Sequence, residues 1–275
     1  SMRRLEDHML DVAACFQAVA QTTAVHRALE CAAQRRLDAV DIARLGALAF
    51  IHDVGKANAG FQAKRWVAAQ QEVPSGWPAP AGHSSEALLI FESEALMGAL
   101  PVVEMGDWGS ACLNLWRASI SHHGRPVEEP GQGIAKGIWQ PVFHEGQLVY
   151  DPCQTLAAIG QCLRNWFAPA FQPAAPLPEQ TAFVHLFAGL VQFADWLGSD
   201  TKFFPYAKPV GGRSAWVWQR AREAVAQIGV NANGWREALP RLPEFSAVFS
   251  ATGQAAYIPH PIQSRMDDPS LGSLL

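Results

Sequence analysis

The sequence lacks several features that would assign it to a specialised class of protein. Its five cysteines are odd in number and form no CxxC pair, which argues against a disulfide framework and against a cysteine-based zinc site. No apolar run is long enough to span a bilayer, and no signal peptide is recognisable. These absences predict a protein of the reducing cytoplasm, with free thiols and no membrane partner.

Charge is scarce as well, because Asp, Glu, Lys and Arg make up only 17% of the chain and the net charge is -4. Domains that bind nucleic acid are often strongly basic, so the charge alone gives no indication of a DNA-binding protein. Bound divalent cations are not included in that sum, and they can dominate a local field. Hydrophobic residues, by contrast, account for 49% of the 275 residues, with ten tryptophans and fourteen phenylalanines, enough for a large core or a docking face.

Helical periodicity dominates the chain and predicts an all-α fold in one domain over 1–228. Apolar residues recur at steps of four and three through 5–19, as on one face of a helix, and a second such helix is predicted to end at Gly55. Residues 124–151 are rich in Gly and Pro and predict a long irregular insertion, with a short hairpin in "FHEGQLVY". Residues 229–275 predict a less regular extension. Further helices are predicted over 57–71, 84–97, 109–121, 152–167, 179–199 and 213–228.

Ionisable residues occupy the apolar faces of these helices. They are His8, His52, His83, His123 and Asp195. A single histidine on such a face is more often a hydrogen-bonded core residue than a ligand, but a buried carboxylate needs a cation, a metal or several donors. Convergence of these groups on one point of the core would explain why each of five segments carries an ionisable residue on its apolar face.

The types of these side chains favour a metal centre. Imidazole nitrogens and carboxylate oxygens suit Mn, Fe, Co, Ni or Zn better than Mg or Ca, and so many ligands suit two ions, an arrangement typical of phosphoryl hydrolysis. Asp53, adjacent to His52, is predicted to bridge the two ions as a catalytic residue. Lys56 is predicted to stabilise charge on a phosphate, with a solvated surface lysine as the alternative.

An ordered series of His, His-Asp, His, His and Asp on helices resembles the HD metal-dependent phosphohydrolases. Four motifs narrow the resemblance: "HMLDVA" at 8–13, "KANAGFQ" at 56–62, "SHHG" at 121–124 and "FADWLGSD" at 193–200. Together they are similar to the HD nuclease domain of the CRISPR-associated helicase-nuclease of type I systems. The resemblance covers about 1–200, most of the chain.

The resemblance implies how the ligands divide between two divalent ions, with Mn, Co, Ni or Fe favoured and Mg as an alternative. One ion would be held by His8, His52, Asp53 and Asp195, and the other by Asp53, His83, His122 and His123. His122 and His123 can both be ligands only if their helix ends before them, which Gly124 makes plausible. Ser199 would lie near the site. His26 is the rival to His8 but lacks its "HxxDVA" context.

The family also implies a substrate, single-stranded DNA in an R-loop, which is nicked and then degraded as a helicase feeds it through. The implied partners are a superfamily 2 helicase and an RNA-guided CRISPR surveillance complex. The 275 residues contain no GxxxxGK[ST] phosphate loop, so 229–275 is predicted to lead toward a helicase domain outside this sequence, with a stand-alone HD subunit as the alternative. The alternatives in function are an HD phosphohydrolase of nucleotides or cyclic dinucleotides and a non-enzymatic binding module.

Strand binding at this net charge would combine phosphate contacts with aromatic stacking. Lys64, Arg65, Trp66, Arg117 and Arg125 lie on segments that adjoin the predicted ligands. The alternative is that these are scattered, solvated cations.

Overall fold

The computed structural model describes residues 4–128, 136–206 and 213–230. The α-helices in these ranges are α1 (Leu5–Ala20), α2 (Thr23–Ala33), α3 (Ala39–Phe50), α4 (Ala59–Ala68), α5 (Glu94–Ala99), α6 (Val102–Gly106), α7 (Cys112–Ile120), α8 (Pro152–Trp166), α9 (Thr181–Ser199) and α10 (Arg213–Gln227). The 3-10 helices are Ile51–Ala57, Ser85–Glu92, Lys136–Trp139 and Ala168–Phe171. Two antiparallel strands, β1 (Val142–His144) and β2 (Gln147–Tyr150), form a hairpin with Phe143 opposite Leu148. The predicted all-α fold and its hairpin are confirmed.

The first helix is the centre of the domain. α1 packs against α3, α9 and α10, and most of its side chains are buried. Phe16 meets Phe187 of α9 edge to face, with the ring centroids 5.4 Å apart. One turn earlier, in the middle of α1, a Cβ at Gly198 would lie only 2.8 Å from the backbone nitrogen of Val12, so glycine allows α9 to approach the α1 backbone. This close packing brings the C-terminal end of α9 beside the first turns of α1.

Two of the predicted helix boundaries are wrong. α3 ends at Phe50 rather than at Gly55, which lies inside the 3-10 helix Ile51–Ala57 and has no left-handed φ. The helix predicted over 84–97 is split by Ser93, whose extended backbone (φ -134°) separates a 3-10 segment from α5. α2 and α6 were not predicted.

Some of the predicted segments cannot be compared with the structure. Within the insertion at 124–151, residues 129–135 lie outside the described residues, and so does the predicted extension apart from 229 and 230. The division of the chain at 228 therefore stays a prediction. In the described part of the chain, no helix combines the length and apolarity that crossing a membrane requires.

Candidate metal centre

Nitrogen and oxygen atoms from five separate segments converge beside the N-terminal turns of α1. The segments are α1, the 3-10 helix Ile51–Ala57, the loop before Ser85, the turn after α7, and α9. They contribute the predicted ligands His8, His52, Asp53, His83, His122, His123 and Asp195, which fall into groups whose ligand atoms lie within 4.8 Å of one another. The structure thus brings together every residue predicted as a metal ligand.

Asp53 lies at the middle of this cluster, and its two oxygens face different histidines. Its Oδ2 atom is 3.2 Å from Nε2 of His8 and 3.4 Å from Nε2 of His52. Its Oδ1 atom is 3.3 Å from Nε2 of His83 and 3.5 Å from Nε2 of His122. Asp195 belongs to the first side, with Oδ1 at 3.5 Å from His8 and 3.6 Å from His52. The carboxylate therefore lies between two sets of ligand atoms.

His123 completes the second set. Its Nε2 atom is 3.0 Å from that of His83, and it follows His122 in a turn rather than in a helix. α7 ends at Ile120, and Gly124 adopts a left-handed conformation with φ of +77°. Because the helix has ended, the two adjacent histidine rings point toward the same cluster, which the helical spacing of about 100° per residue would prevent.

Two of the buried histidines are oriented by backbone carbonyls. Nδ1 of His52 donates to the carbonyl of Ala49 at 3.0 Å, and Nδ1 of His122 donates to that of Ser119 at 3.1 Å. These bonds leave each Nε2 atom directed at the centre, as outer-shell contacts do for metal-bound histidines. The hydroxyl of Ser119 in turn donates to the carbonyl of Leu48 at 2.6 Å, which joins α7 to α3.

The carboxylates and histidines shift one another's pKa values. Burial would raise the pKa of Asp53, but the charge of His52 and hydrogen bonds from His52, His8 and His83 hold it well below its usual range. Burial likewise opposes ionisation of Asp195, yet hydrogen bonds from His52 and His8 lower its pKa. Burial would lower the pKa of His52, but the carboxylates of Asp53 and Asp195 outweigh burial and raise this pKa to about 9. Burial and the nearby charge of His52 lower the pKa of His122 to about 3.

The chemistry of these atoms fits divalent metal ions. Nε2 of His52 and Oδ1 of Asp53 are buried and, among the described residues, make only long contacts of 3.3–3.6 Å with imidazole and carboxylate atoms and no hydrogen bond of standard geometry, an arrangement that is costly unless a cation satisfies them. Mixed imidazole and carboxylate ligands suit first-row transition metals. Because only the neutral imidazole is a ligand, the proton that His52 holds would have to leave on metal binding.

The loop that carries His83 is held by Gly55 and by Asn58, the latter within the "KANAGFQ" motif. A Cβ at Gly55 would lie 1.8 Å from the carbonyl oxygen of His83, so the 3-10 helix and the loop touch backbone to backbone. The amide of Asn58 donates to the carbonyls of Gly55 and Gly82, at 2.7 and 2.9 Å, while its oxygen caps α4 by accepting from the amide of Phe61. These supporting roles were not predicted, although Asn before a helical run is itself an N-cap signal.

Lys56 and Ser199, also predicted to be near the site, both contact its carboxylates. Nζ of Lys56 lies 2.5 Å from Oδ2 of Asp53, since residues three apart align on a 3-10 helix. The hydroxyl of Ser199 donates to Oδ1 of Asp195 at 3.2 Å. The lysine is thus anchored at the cluster rather than free in solvent, with a side chain that is 25% exposed.

The other candidate cations contact neighbouring side chains or solvent. Lys64 packs over the ring of Phe61, which in turn contacts His83. Arg65 lies over Trp66 with its guanidinium carbon 3.8 Å from the ring centroid. The other predicted residues are Arg125, which is exposed beside the His122–Gly124 turn; Arg117, which is half-buried on α7; and His26, which lies on α2 with Nε2 at 3.6 Å from Glu30.

Comparison with known families identifies this arrangement. The family described as "Cas3, HD domain" matches residues 2–204. The chain belongs to the Cas3 HD domain family. The predicted relationship is thereby confirmed, and the protein is a CRISPR-associated HD nuclease domain of a family that binds divalent metals. A comparison with curated proteins found no match.

Solved structures of Cas3 and of a CRISPR complex share its fold. The Thermus thermophilus Cas3 HD domain, determined in the presence of Ni²⁺, is 25% identical with a TM-score of 0.56, and the match covers 82% of this chain and 84% of that one. T. fusca Cas3 with ATP is 16% identical with a TM-score of 0.57, over 98% of this chain and 29% of that chain. A CRISPR RNA-guided surveillance complex in a pre-nicking state contains a chain that is 15% identical, with a TM-score of 0.51, over 91% of this chain and 29% of its own. The chain therefore spans less than a third of these longer proteins.

Proposed function

We propose that this Cas3 HD domain hydrolyses phosphodiester bonds of single-stranded DNA with two divalent ions, as the nuclease of type I CRISPR interference. The observation that carries the proposal is the position of Asp53, whose two oxygens face separate sets of ligand atoms. His8, His52 and Asp195 would hold one ion with Asp53, and His83, His122 and His123 would hold the other. Divalent ions held in this way activate water and stabilise the charge of a phosphodiester.

The remaining side chains of the centre have roles that follow from their contacts. Lys56, which touches Oδ2 of Asp53 at 2.5 Å, can turn toward a phosphate oxygen and stabilise the charge that builds up there. Ser199 orients Asp195 through its hydrogen bond. His123 is exposed and Lys56 partly so, which leaves one side of the cluster open to a passing strand.

Lys64, Arg65 and Arg125 would contact the phosphates of that strand. Lys64 adjoins the centre through Phe61, and Arg125 follows the turn that bears His122 and His123. Mn, Co, Ni or Fe is the proposed metal, with Mg as an alternative, since the ligands are imidazole nitrogens and carboxylate oxygens. A superfamily 2 helicase and the RNA-guided surveillance complex are the proposed partners, in keeping with the Cas3 structures that share the fold.

Removing these three cations should weaken DNA binding and its salt dependence. In an Asp53→Asn background that prevents cutting, the triple change Lys64→Ala, Arg65→Ala and Arg125→Ala should reduce the slope of log affinity against log salt by up to about 0.7 per lost phosphate contact. Fluorescence anisotropy of a labelled oligothymidine over a range of salt concentrations measures this slope.

The matched control replaces Arg27 and Arg222, exposed arginines on α2 and α10, helices that contribute no ligand atom to the cluster around Asp53. These changes should leave the slope as it is in the parent. An unchanged slope in the triple variant would remove these residues from the proposed strand path.

The function is tested by varying metal and substrate together. The metal-stripped chain is supplied with Mn²⁺, Co²⁺, Ni²⁺, Fe²⁺ or Mg²⁺ and offered circular single-stranded DNA, duplex DNA, nucleotides and cyclic dinucleotides. We expect cutting of the circular single strand in preference to the duplex. Turnover of the small molecules alone would favour a nucleotide phosphohydrolase, and inactivity with every metal would favour a binding module.

A further inference from the structure

The last described helix is tied to the first by one arginine. At the start of α10, Nε of Arg213 lies 2.8 Å from Oδ1 of Asp7, and its Nη2 atom lies 2.7 and 2.9 Å from the two oxygens of Asp11. The same Nη2 atom donates to the backbone carbonyl of Asp7 at 3.1 Å. Asp11 is completely buried. A fixed guanidinium fork thus holds two side chains and the backbone of α1.

The tie spans the turn of α1 that carries His8. Asp7 and Asp11 are four residues apart and therefore lie on the same face of the helix. His8 follows Asp7, so its side chain points about 100° further round, toward Asp53 at 3.2 Å and Asp195 at 3.5 Å. The rotation of this turn about the axis of α1 and its position along that axis determine where Nε2 of His8 lies in the metal centre.

This turn has little support from within α1 itself. α1 begins at Leu5, and Arg4 at the N-cap position makes no side-chain capping hydrogen bond. The first N–H groups of a helix have no acceptor within it, and the amide of His8 is bonded to the carbonyl of Arg4 at 3.1 Å, at the very start of the ladder. A ligand in a first turn that its N-cap side chain, Arg4, does not cap gains from support by another element.

That support comes from beyond the residues that match the family. The match ends at residue 204, whereas α10 spans Arg213–Gln227. α10 is nevertheless part of the core, where Val217, Ala221 and Ala224 are buried. An HD domain cut at the end of the matched region would lose both the helix and its arginine.

We propose that Arg213 is a positioning residue for His8, so that binding of the ion held by His8, His52 and Asp195 depends on α10. The inference rests on the proposed two-ion centre. The ion at His83, His122 and His123 would be independent of α10, because those ligands are held by the turn after α7 and the loop beside Gly55.

The test measures metal binding by the whole chain, with Mn²⁺ titrated by calorimetry and metal content determined after dialysis. The wild type should bind two ions. Arg213→Met, which keeps the aliphatic stem, should bind one of them about 10-fold more weakly, the lower end of the loss caused by removing an outer-shell partner of a metal ligand, because Arg213 acts on His8 through the helix and does not touch it. Adding His83→Ala to this variant should weaken the remaining ion as well, which would identify the first loss as that of the His8 group.

Arg220→Met is the matched control. Arg220 lies on the same helix and is similarly accessible, at 29% against 22% for Arg213, but it donates to the carbonyls of Lys202 and Phe203 and pairs with Glu223. The Arg220→Met variant should bind two ions as the wild type does. Two ions bound equally well by wild type and Arg213→Met would overturn the inference alone, whereas a wild type that binds no divalent ion would overturn the proposed function and the inference with it.

A double variant separates positioning from simple loss of stability. Arg213→Met leaves the buried carboxylate of Asp11 without its guanidinium, so Asp11→Asn is combined with it to remove that charge. If thermal stability recovers while one ion stays weakly bound, Arg213 positions His8. If binding of both ions recovers with stability, the arginine only compensates a buried charge and the inference is wrong.

Discussion

Asp53→Asn should abolish cleavage of single-stranded DNA while the chain stays folded. Asn keeps the size of the side chain but removes the charge that lies between the two sets of ligands, at 3.2–3.5 Å from four histidines. Loss of even an outer-shell partner of a metal ligand costs about 10–100-fold, so we expect a fall in rate of more than about 100-fold. Cleavage rates in Mn²⁺, together with circular dichroism and thermal melting, measure the effect.

The control for this variant is Asp107→Asn, a change of the same chemistry at an exposed residue beyond α6. It should cut DNA at the wild-type rate. Cleavage by Asp53→Asn within a few-fold of the wild type would remove the bridging carboxylate from the mechanism, and unfolding of the variant would show up in the melting curve rather than be mistaken for lost chemistry.

Gly55→Ala should have the second largest effect, although the residue bears no reactive group. A methyl group at this position would lie 1.8 Å from the carbonyl oxygen of His83 and 2.7 Å from its carbonyl carbon, so the loop or the 3-10 helix must move. A displacement of about 1 Å can cost about 100-fold in rate. We expect a loss of that order, with the ion at His83 bound more weakly, measured by cleavage and by metal content.

Gly189→Ala is the corresponding control, because a methyl group there would meet nothing within 4 Å on α9. Replacing a glycine inside a helix by alanine stabilises it by up to about 1 kcal/mol, so the control should melt slightly higher and cut normally. Wild-type cleavage by Gly55→Ala would show that the position of His83 tolerates movement.

The ligands could be found in the sequence because they interrupt a regular pattern. His8 and Asp195 fall on the apolar stripes of α1 and α9, long helices whose 3.6-residue period is plain, and a polar residue on such a stripe needs an explanation. The His122–His123 pair could be placed because Gly124 marks the end of α7. α2 was not predicted, and only Leu29 and Ala33 of its residues are buried, too few to produce a clear stripe.

The supports of the site could not be found in this way, because their reasons lie in distant parts of the chain. Gly55 reads locally as a helix C-terminus, yet its small size is required by the carbonyl of His83, which arrives from a loop elsewhere in the sequence. The pairing of Arg213 with Asp11 likewise joins residues that no local period relates. Local patterns predict which residues face the core, whereas these contacts depend on the tertiary arrangement.

The packing of α1 between α3, α9 and α10 also sets an order of events during synthesis. α1 is synthesised before α3, α9 and α10, so part of its apolar surface stays uncovered until α9 and α10 have been made, and contacts between such distant residues form late. A nascent chain that ends before Asp195 carries His8, His52 and Asp53 without the remaining carboxylate of their group. Under the proposed function, the ligand group of His8, His52 and Asp53 is therefore complete only when α9 has been made, so cleavage of nucleic acid would require almost the whole described domain.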